Sequence, residues 1–236
     1  MAITTVLFDM DGTLLPMDND EFTKGYFKLL AAKLIPHGYN ADELVAAVWK
    51  GMGAMVGNDG SRSNHDAFWE AFAEALGERV HGDHAVFDDF YRNEFNKAKA
   101  ICGYSEYSAK VIKALKQKGR RVVLASNPIF PMEAQRARMG WAGVSPEDFE
   151  LITAYENFSY CKPNPQYYTE ITERIGVRAG ECLMVGNDVD EDMEAASAAG
   201  MSVYLLTDHM INRSDKDISV YPHGSFAELE KYLNGI

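Results

Sequence analysis

The alternation of apolar and polar residues divides the chain into two parts. Between Asn19 and Lys97, apolar residues recur three or four positions apart, as they do on one face of a helix. From Ser105 onward, short apolar runs rich in β-branched residues alternate with stretches of helical spacing. The pattern therefore predicts a purely helical segment, followed by a region in which strands and helices alternate.

The helical segment is predicted to contain four helices. The second begins at Asn40, which precedes Glu43 with the spacing of a capping box, and the third runs from about Asn64 to a stop at Gly77. Aromatic stripes at this spacing form a core far more often than a ligand site, so the segment is interpreted as a small bundle. Its apolar faces are Phe22, Tyr26, Leu29 and Leu30; Leu44, Val45, Val48 and Trp49; Phe68, Trp69, Phe72 and Leu76; and Val86, Phe87, Phe90, Tyr91 and Phe95.

The second part predicts an α/β fold. One strand, Ile3–Phe8, precedes the bundle, and later strands are predicted at Arg121–Ala125, Leu151–Ala154, Cys182–Val185 and Val203–Leu206. Helices are predicted around Val111–Leu115 and at Met132–Met139, Pro165–Ile175, Glu191–Ala199 and Ser225–Leu233. Strands that alternate with helices of this length form a parallel sheet through right-handed crossovers. The expected fold is a Rossmann-like, doubly wound parallel sheet.

Two carboxylates follow the first predicted strand directly, in the stretch Asp9-Met10-Asp11-Gly12-Thr13. Open α/β sheets bind ligands at the carboxyl ends of their strands, so both side chains are candidates for chemistry. A solvated turn explains the pentapeptide equally well when it is considered alone, because Asp and Gly favour turns.

Polar groups also follow two later strands. Ser126 and Asn127 come after the strand at Arg121–Ala125, where a hydroxyl and backbone N–H groups could hold a phosphoryl oxygen. A simple helix N-cap by Ser126 is the alternative. Lys162 lies between the third strand and two prolines, which would stiffen the support of a positive charge. An exposed loop lysine is the alternative there.

The fourth strand is followed by an acidic cluster that contains Asp188 and Asp192. Hard oxygen ligands at a strand end are what Mg²⁺ prefers. For Asp190 and Glu191 a simpler explanation holds, because acidic residues stabilise the first turn of a helix through its dipole.

The composition argues against two classes of binding partner, nucleic acids and membranes. The 236 residues carry a net charge of −12, which argues against a nucleic-acid surface, since binding to phosphate backbones requires clustered Lys and Arg. No apolar run reaches the length of a membrane span. The three cysteines are widely spaced and form no CxxC pair, so they are interpreted as reduced thiols of a cytoplasmic protein.

The paired Asp, the Ser, the Lys and the acidic cluster occur in one order on successive strands. In this combination the chain resembles the haloacid dehalogenase superfamily of hydrolases. Asp9-Met10-Asp11-Gly12-Thr13 matches its first motif, Ser126 its second, Lys162-Pro163 its third, and Asp188 with Asp192 its fourth. Many relatives begin the fourth motif with Gly-Asp, whereas here Asn187 separates Gly186 from Asp188.

The resemblance also implies a division into domains. A core of residues 1–16 and 100–236 would carry the motifs, and residues 17–99 would form a helical-bundle cap inserted after the first motif. This arrangement looks like the phosphoglycolate-phosphatase-like and β-phosphoglucomutase-like branch. Only 35 residues separate Ser126 from Lys162, which is too few for the larger cap that other branches insert there.

The resemblance further implies a mechanism. Asp9 would attack the phosphorus of a phosphate ester and form an aspartyl-phosphate, and Asp11 would protonate the leaving alcohol and later activate water. Mg²⁺ would be held by the Asp9 carboxylate, the Asp11 backbone carbonyl and Asp188. The phosphoryl oxygens would be held by Ser126, Lys162 and the backbone of Met10 and Asn127, with Asp192 orienting the array or touching the metal.

The expected function is a Mg²⁺-dependent phosphatase acting on a small phosphorylated metabolite. A phosphomutase with the same nucleophile is the first alternative, and a non-catalytic ligand-binding protein on this fold is the second. Asp11 argues against a true dehalogenase, which releases halide and needs no proton donor. Substrate choice is expected to lie in the cap, with Arg62 in the glycine-rich stretch 57–64 as a candidate. A plain solvated loop residue is the alternative for Arg62, and it is favoured for any single position of this stretch. The sequence leaves the oligomeric state open.

Overall fold

The computed structural model describes residues 2–235 and is built around one six-stranded sheet. The strands are β1 Thr5–Phe8, β2 Arg121–Leu124, β3 Leu151–Ile152, β4 Cys182–Gly186, β5 Ser202–Leu206 and β6 His223–Gly224. Their order is β3-β2-β1-β4-β5-β6, and each neighbouring pair is parallel. All four residues of β1 are buried, because β2 and β4 flank this strand and helices cover the sheet.

Helices account for most of the remaining structure. Before β2 the chain forms α1 Asn19–Leu34, α2 Ala41–Val56, α3 Asn64–Leu76, α4 His84–Arg92 and α5 Glu106–Gln117. After β2 it forms α6 Met132–Ala142, α7 Pro165–Ile175, α8 Ala195–Ala198 and α9 Phe226–Asn234. Short 3₁₀ segments lie at Ile35–His37, Glu78–Gly82, Glu94–Ile101, Pro146–Asp148, Ala179–Glu181 and Ile218–Val220. Across residues 2–235, no helix is long and apolar enough to cross a membrane.

Alternate strand residues face two separate hydrophobic clusters. Val6 and Phe8 of β1 belong to a cluster shared with α1 to α6 and α9, whereas Leu7 belongs to a second cluster shared with α7 and α8. Side chains of a strand alternate between the two faces of the sheet, so each face is covered by its own helices. This is a doubly wound, Rossmann-like parallel sheet, and the predicted fold class is confirmed.

The helices between β1 and α5 pack onto the loop that follows β2. The ring of Phe130 in that loop lies 6.4 Å from Phe22, 5.4 Å from Tyr26 and 6.1 Å from Phe95, measured between ring centroids. The insertion therefore lies close to the carboxyl ends of the strands. The division into a core of residues 1–16 and 100–236 and a helical domain of residues 17–99 stays a prediction, and its end residues 1 and 236 lie outside the described residues.

Two predicted helices differ from the observed ones. The helix expected at Glu191–Ala199 is a π-helical turn, Val189–Glu194, continued by the short α8. The helix expected to run through Phe95 ends at Arg92, and after Asn93 the chain continues as the 3₁₀ segment Glu94–Ile101. The strand β6 has only two residues, which is too short to produce a period in the sequence.

Candidate active site

The loop after β1 turns tightly and brings Asp9 and Asp11 to the same edge of the sheet. The backbone N–H of Leu15 donates to the carbonyl of Met10 at 2.8 Å, and Gly12 adopts a φ of +79°. A Cβ atom at Gly12 would lie only 2.3 Å from Nδ2 of Asn187, so this close approach requires glycine. The loop after β1 and the loop after β4 are thereby locked together.

Lys162 lies between two carboxylates in the interior. Its Nζ is 2.8 Å from Oδ1 of Asp9 and 2.6 Å from Oδ1 of Asp192, and its side chain is almost completely buried. Burial alone would lower the pKa of the lysine, but the carboxylates of Asp192 and Asp9 outweigh it and raise the pKa well above its usual value. Burial raises the pKa of the Asp9 carboxyl, although the charge of Lys162 acts in the opposite direction. Lys162 is therefore a fixed positive charge against Asp9.

Asp192 has both of its oxygens engaged. Oδ1 accepts from Lys162, and Oδ2 accepts from the backbone N–H groups of Asn187 and Asp188 at 3.0 Å each. The π-helical turn gives this geometry, since the N–H groups of Asp192 and Met193 both donate to the carbonyl of Asp188. Asp192 thus holds the lysine and the loop after β4 in place.

Asp188 caps the π-helical turn and faces a second cation. Its Oδ1 accepts from the N–H groups of Asp190 and Glu191 at 2.9 Å each, and its Oδ2 lies 3.0 Å from Nη1 of Arg213. The sequence reasoning did not single out Arg213, which lies in a polar loop with no periodic pattern. Its guanidinium is the positive charge beside Asp188 in this structure.

Asn127 ties the loops after β2, β3 and β4 together. Its Oδ1 accepts from the backbone N–H of Lys162 at 3.2 Å, and its Nδ2 donates to Oε2 of Glu191 at 3.1 Å. Burial raises the pKa of Glu191 to about 7, against the charge of Lys162. Ser126 is buried beside Asn127, and its backbone carbonyl accepts from the hydroxyl of Tyr167 at 2.8 Å. The helix-dipole explanation of Glu191 therefore omits its contact with Asn127.

Arg138, which pairs with Asp11, is a second residue that the sequence reasoning did not single out. This arginine of α6 is completely buried, and its Nη1 donates to Oδ2 of Asp11 while its Nη2 donates to Oε1 of Gln135 at 2.6 Å. It lies at helical spacing from Ala134 and Ala142, which are also fully buried. A charged residue within an apolar stripe was the signal available in the sequence.

The predicted site residues converge to different degrees. A cavity of about 150 Å³ at the carboxyl ends of the strands is lined by Asp9, Asp11, Ser126, Asn127, Asp188 and Asp192. Lys162 contacts this set through its ion pair with Asp9. The buried Met10 contributes its backbone carbonyl to the turn after β1. Arg62 does not line this cavity, because it pairs with Glu70 on the surface. The structure therefore does not bring Arg62 to the other candidates.

The neighbourhood of Arg62 is also more tightly held than its glycine content suggests. Asn64 is fully buried, accepts from Nδ2 of Asn58 at 3.0 Å, and donates its backbone N–H to the carbonyl of Phe158 at 2.8 Å. The ring of Tyr160 lies against Gly60, leaving no room for a Cβ atom. These contacts pin the start of α3 to the segment before Lys162.

The donor set at the cavity suits a hard cation. Asp9 and Asp188 provide carboxylate oxygens, and Oδ1 of Asp11 is buried without a hydrogen-bond partner in the structure. Residues 2–235 contain no cluster of three or more His, Cys, Asp or Glu side chains arranged to hold a metal. Two carboxylates with a backbone carbonyl and water match Mg²⁺, which usually keeps several waters. The residues present therefore fit this ion.

Comparison with known proteins identifies the class to which this fold and site belong. The sequence model of the haloacid dehalogenase-like hydrolases matches residues 3–200. The chain belongs to this family, and the resemblance inferred from the four motifs is confirmed. The same match confirms the prediction that the chain is an enzyme, a hydrolase of this family.

Particular relatives extend the comparison. The chain is 28% identical over 210 residues to the phosphoglycolate phosphatase of Mesorhizobium japonicum, covering 87% of this chain and 83% of that protein. The crystal structure of a HAD phosphatase from Thermococcus onnurineus matches with a TM-score of 0.59 and 20% identity over 99% of both chains. A 2-haloacid dehalogenase from Pseudomonas syringae pv. Tomato matches with a TM-score of 0.64 and 16% identity over 98% of both chains. These two structures share the fold, so the fold alone does not separate phosphatase from dehalogenase.

Proposed function

We propose that the chain is a Mg²⁺-dependent phosphatase that hydrolyses a small phosphorylated metabolite through an aspartyl-phosphate on Asp9. The observation that carries the proposal is the meeting of Asp9, Asp11 and Asp188 at one cavity, with the ammonium group of Lys162 2.8 Å from Asp9. The phosphatases among the relatives support this reaction class.

Asp9 is the nucleophile in this proposal. One oxygen is held by Lys162, so the carboxylate is fixed in orientation while it attacks phosphorus. A covalent aspartyl-phosphate divides a difficult displacement into two easier ones, and water then hydrolyses it to release phosphate and regenerate the carboxylate.

Asp11 is the general acid and base. Arg138 holds its Oδ2, which leaves Oδ1 as the atom to protonate the leaving oxygen and later to accept a proton from water. Such proton transfer typically contributes about 10²–10⁴-fold to the rate. A halide leaves without a proton, so this side chain favours phosphate esters over haloacids as substrates.

The remaining groups act on the transferring phosphoryl oxygens. Ser126 and the backbone of Met10 and Asn127 would donate hydrogen bonds to them, and Lys162 neutralises charge from beneath. The Asp9 carboxylate, the backbone carbonyl of Asp11 and Asp188 would hold Mg²⁺, whose charge offsets the repulsion between anionic nucleophile and anionic ester.

The test is phosphate release from a panel of sugar, glycolate and nucleotide phosphates, with Mg²⁺ or with a chelator. We expect Asp9→Asn to lower phosphate release by at least about 10³-fold, because it removes the nucleophile. The matched control is Asp42→Asn, an exposed acid in α2, which should leave activity unchanged. Full activity in Asp9→Asn or in the chelator would contradict the mechanism.

Product analysis separates the alternatives. A phosphomutase would isomerise a sugar phosphate with little free phosphate, whereas a binding protein would retain an ester without turnover. Stoichiometric release of inorganic phosphate is the outcome that the proposal requires.

A further inference from the structure

A second and larger cavity opens beside the catalytic one. It has a volume of about 410 Å³ and lies between α1, α2 and the loop after β2. The two cavities share Asp11, Asn19, Ile129 and Arg213 as lining residues, so they adjoin at the proposed general acid. Because the general acid protonates the leaving oxygen, this adjoining cavity offers room for the group attached to that oxygen.

The walls of this second cavity, the leaving-group pocket, are mostly apolar. The apolar part of the wall is formed by Phe22, Tyr26 and Phe27 of α1, Trp49 and Met52 of α2, and Ile129 and Phe130 after β2. The hydroxyl of Tyr26 is hydrogen-bonded to that of Tyr91 at 2.9 Å, so Tyr26 presents its ring rather than its polar group. Large apolar walls with few polar groups are typical of pockets that bind apolar ligand portions.

One wall of the leaving-group pocket reaches the surface. Trp49 is 50% exposed, and its ring lies 5.4 Å from that of Phe27. Because Trp49 lines the cavity and is half exposed, its ring offers an aromatic face on which a flat group can stack.

The charges around this pocket disfavour a second anion on the substrate. The cations that line it are Lys24, which is 2.8 Å from Glu21, and Arg213, which is 3.0 Å from Asp188. Both cations are therefore already paired, and a carboxylate or second phosphate in this pocket would share it with the carboxylates of Asp11 and Asp20.

We infer that the leaving-group pocket selects phosphate monoesters whose alcohol carries a flat apolar ring, or an apolar group of similar size, and no second anion. This inference rests on the proposed phosphatase function and names the substrate class of that site. The ring stacks against Trp49 and Phe27, the ester oxygen meets Asp11, and the phosphoryl group enters the catalytic cavity.

The test compares kcat/KM for three esters of primary alcohols: benzyl phosphate, ethyl phosphate and phosphoglycolate. Burying one phenyl ring should raise kcat/KM of benzyl phosphate over ethyl phosphate by at least about 10-fold, and phosphoglycolate should be the poorest substrate of the three. Equal or better turnover of ethyl phosphate or phosphoglycolate would overturn this inference and leave the phosphatase proposal standing. No phosphate release from these three esters or from the panel of sugar and nucleotide phosphates, with Mg²⁺ present, would overturn both.

Variants locate the effect in this pocket. Trp49→Ala and Phe27→Ala should each lower the benzyl-to-ethyl ratio of kcat/KM at least about 5-fold, whereas Trp49→Phe should retain most of it. The control is Tyr104→Ala, which removes an aromatic ring that is 66% exposed and does not line the pocket. A ratio that falls equally in Tyr104→Ala, or stays constant in both pocket variants, would contradict the assignment.

Discussion

Arg138 provides the sharpest test of how the site is supported. Its completely buried guanidinium pairs with Asp11, donates to Gln135 and lies 4.4 Å over the ring of Phe130. The substitution Arg138→Met keeps most of the aliphatic stem and removes the charge and the hydrogen bonds.

The magnitude follows from burial on the two sides of the ion pair. Removing one partner of a buried pair typically costs about 3–5 kcal/mol, because the other charge is left without compensation. The side chain of Asp11 is 24% exposed and can regain some hydration, which reduces the cost. We expect the free energy of unfolding to fall by about 2–3 kcal/mol.

The chain offers a matched control in Arg174. This arginine also pairs with a carboxylate, Glu170 at 2.7 Å, and lies 4.7 Å over an aromatic ring, Phe158, but its side chain is 42% exposed. Surface pairs of this kind contribute about 0–1 kcal/mol. Urea denaturation should therefore show a loss in Arg174→Met of less than half that in Arg138→Met.

Kinetics separate a positioning role from a purely structural one. If Arg138 orients Asp11, Arg138→Met should lower kcat by about 10–100-fold in the wild type and cause little further loss in an Asp11→Asn background. Equal losses in both backgrounds would show that Arg138 acts independently of Asp11. Unfolding free energy within about 0.5 kcal/mol of the wild type would refute the reasoning on burial.

Three further predictions test the frame of the site. Gly186→Ala should reduce phosphate release and stability, because its Cβ would lie 2.1 Å from the carboxylate that holds the lysine, whereas Gly140→Ala in α6 meets open space and should be neutral or stabilising in thermal denaturation. Lys162→Met should cost about 3–5 kcal/mol in urea denaturation and lower phosphate release strongly, since two buried carboxylates lose their cation. A loss below 1 kcal/mol would refute this. Asn64→Ala should cost about 2–3 kcal/mol, against almost nothing for Asn96→Ala, whose side chain is exposed, and equal unfolding midpoints would contradict the proposed anchoring of α3.

The sequence by itself determined the fold class and most of the candidate site. The apolar runs of β1, β2 and β4 are long enough to be recognised, and in a parallel sheet their carboxyl ends must meet at one edge. Asp9 and Ser126 each follow such a run directly, so their convergence required no knowledge of packing. For the same reason the fold class was predicted correctly.

The tertiary structure decided how these groups are paired. Arg138 reaches Asp11 across 127 residues of chain, and the larger cavity beside Asp11 joins rings from α1 and α2 to Phe130 in the loop after β2. The glycine-rich stretch around Arg62 could be interpreted from the sequence as a substrate-contacting loop or as a solvated one. In the structure Asn64 fixes the stretch, and Arg62 pairs with Glu70 on the surface. Local periodicity records which side of a helix or strand is buried, but the partner of a buried charge depends on which elements pack together.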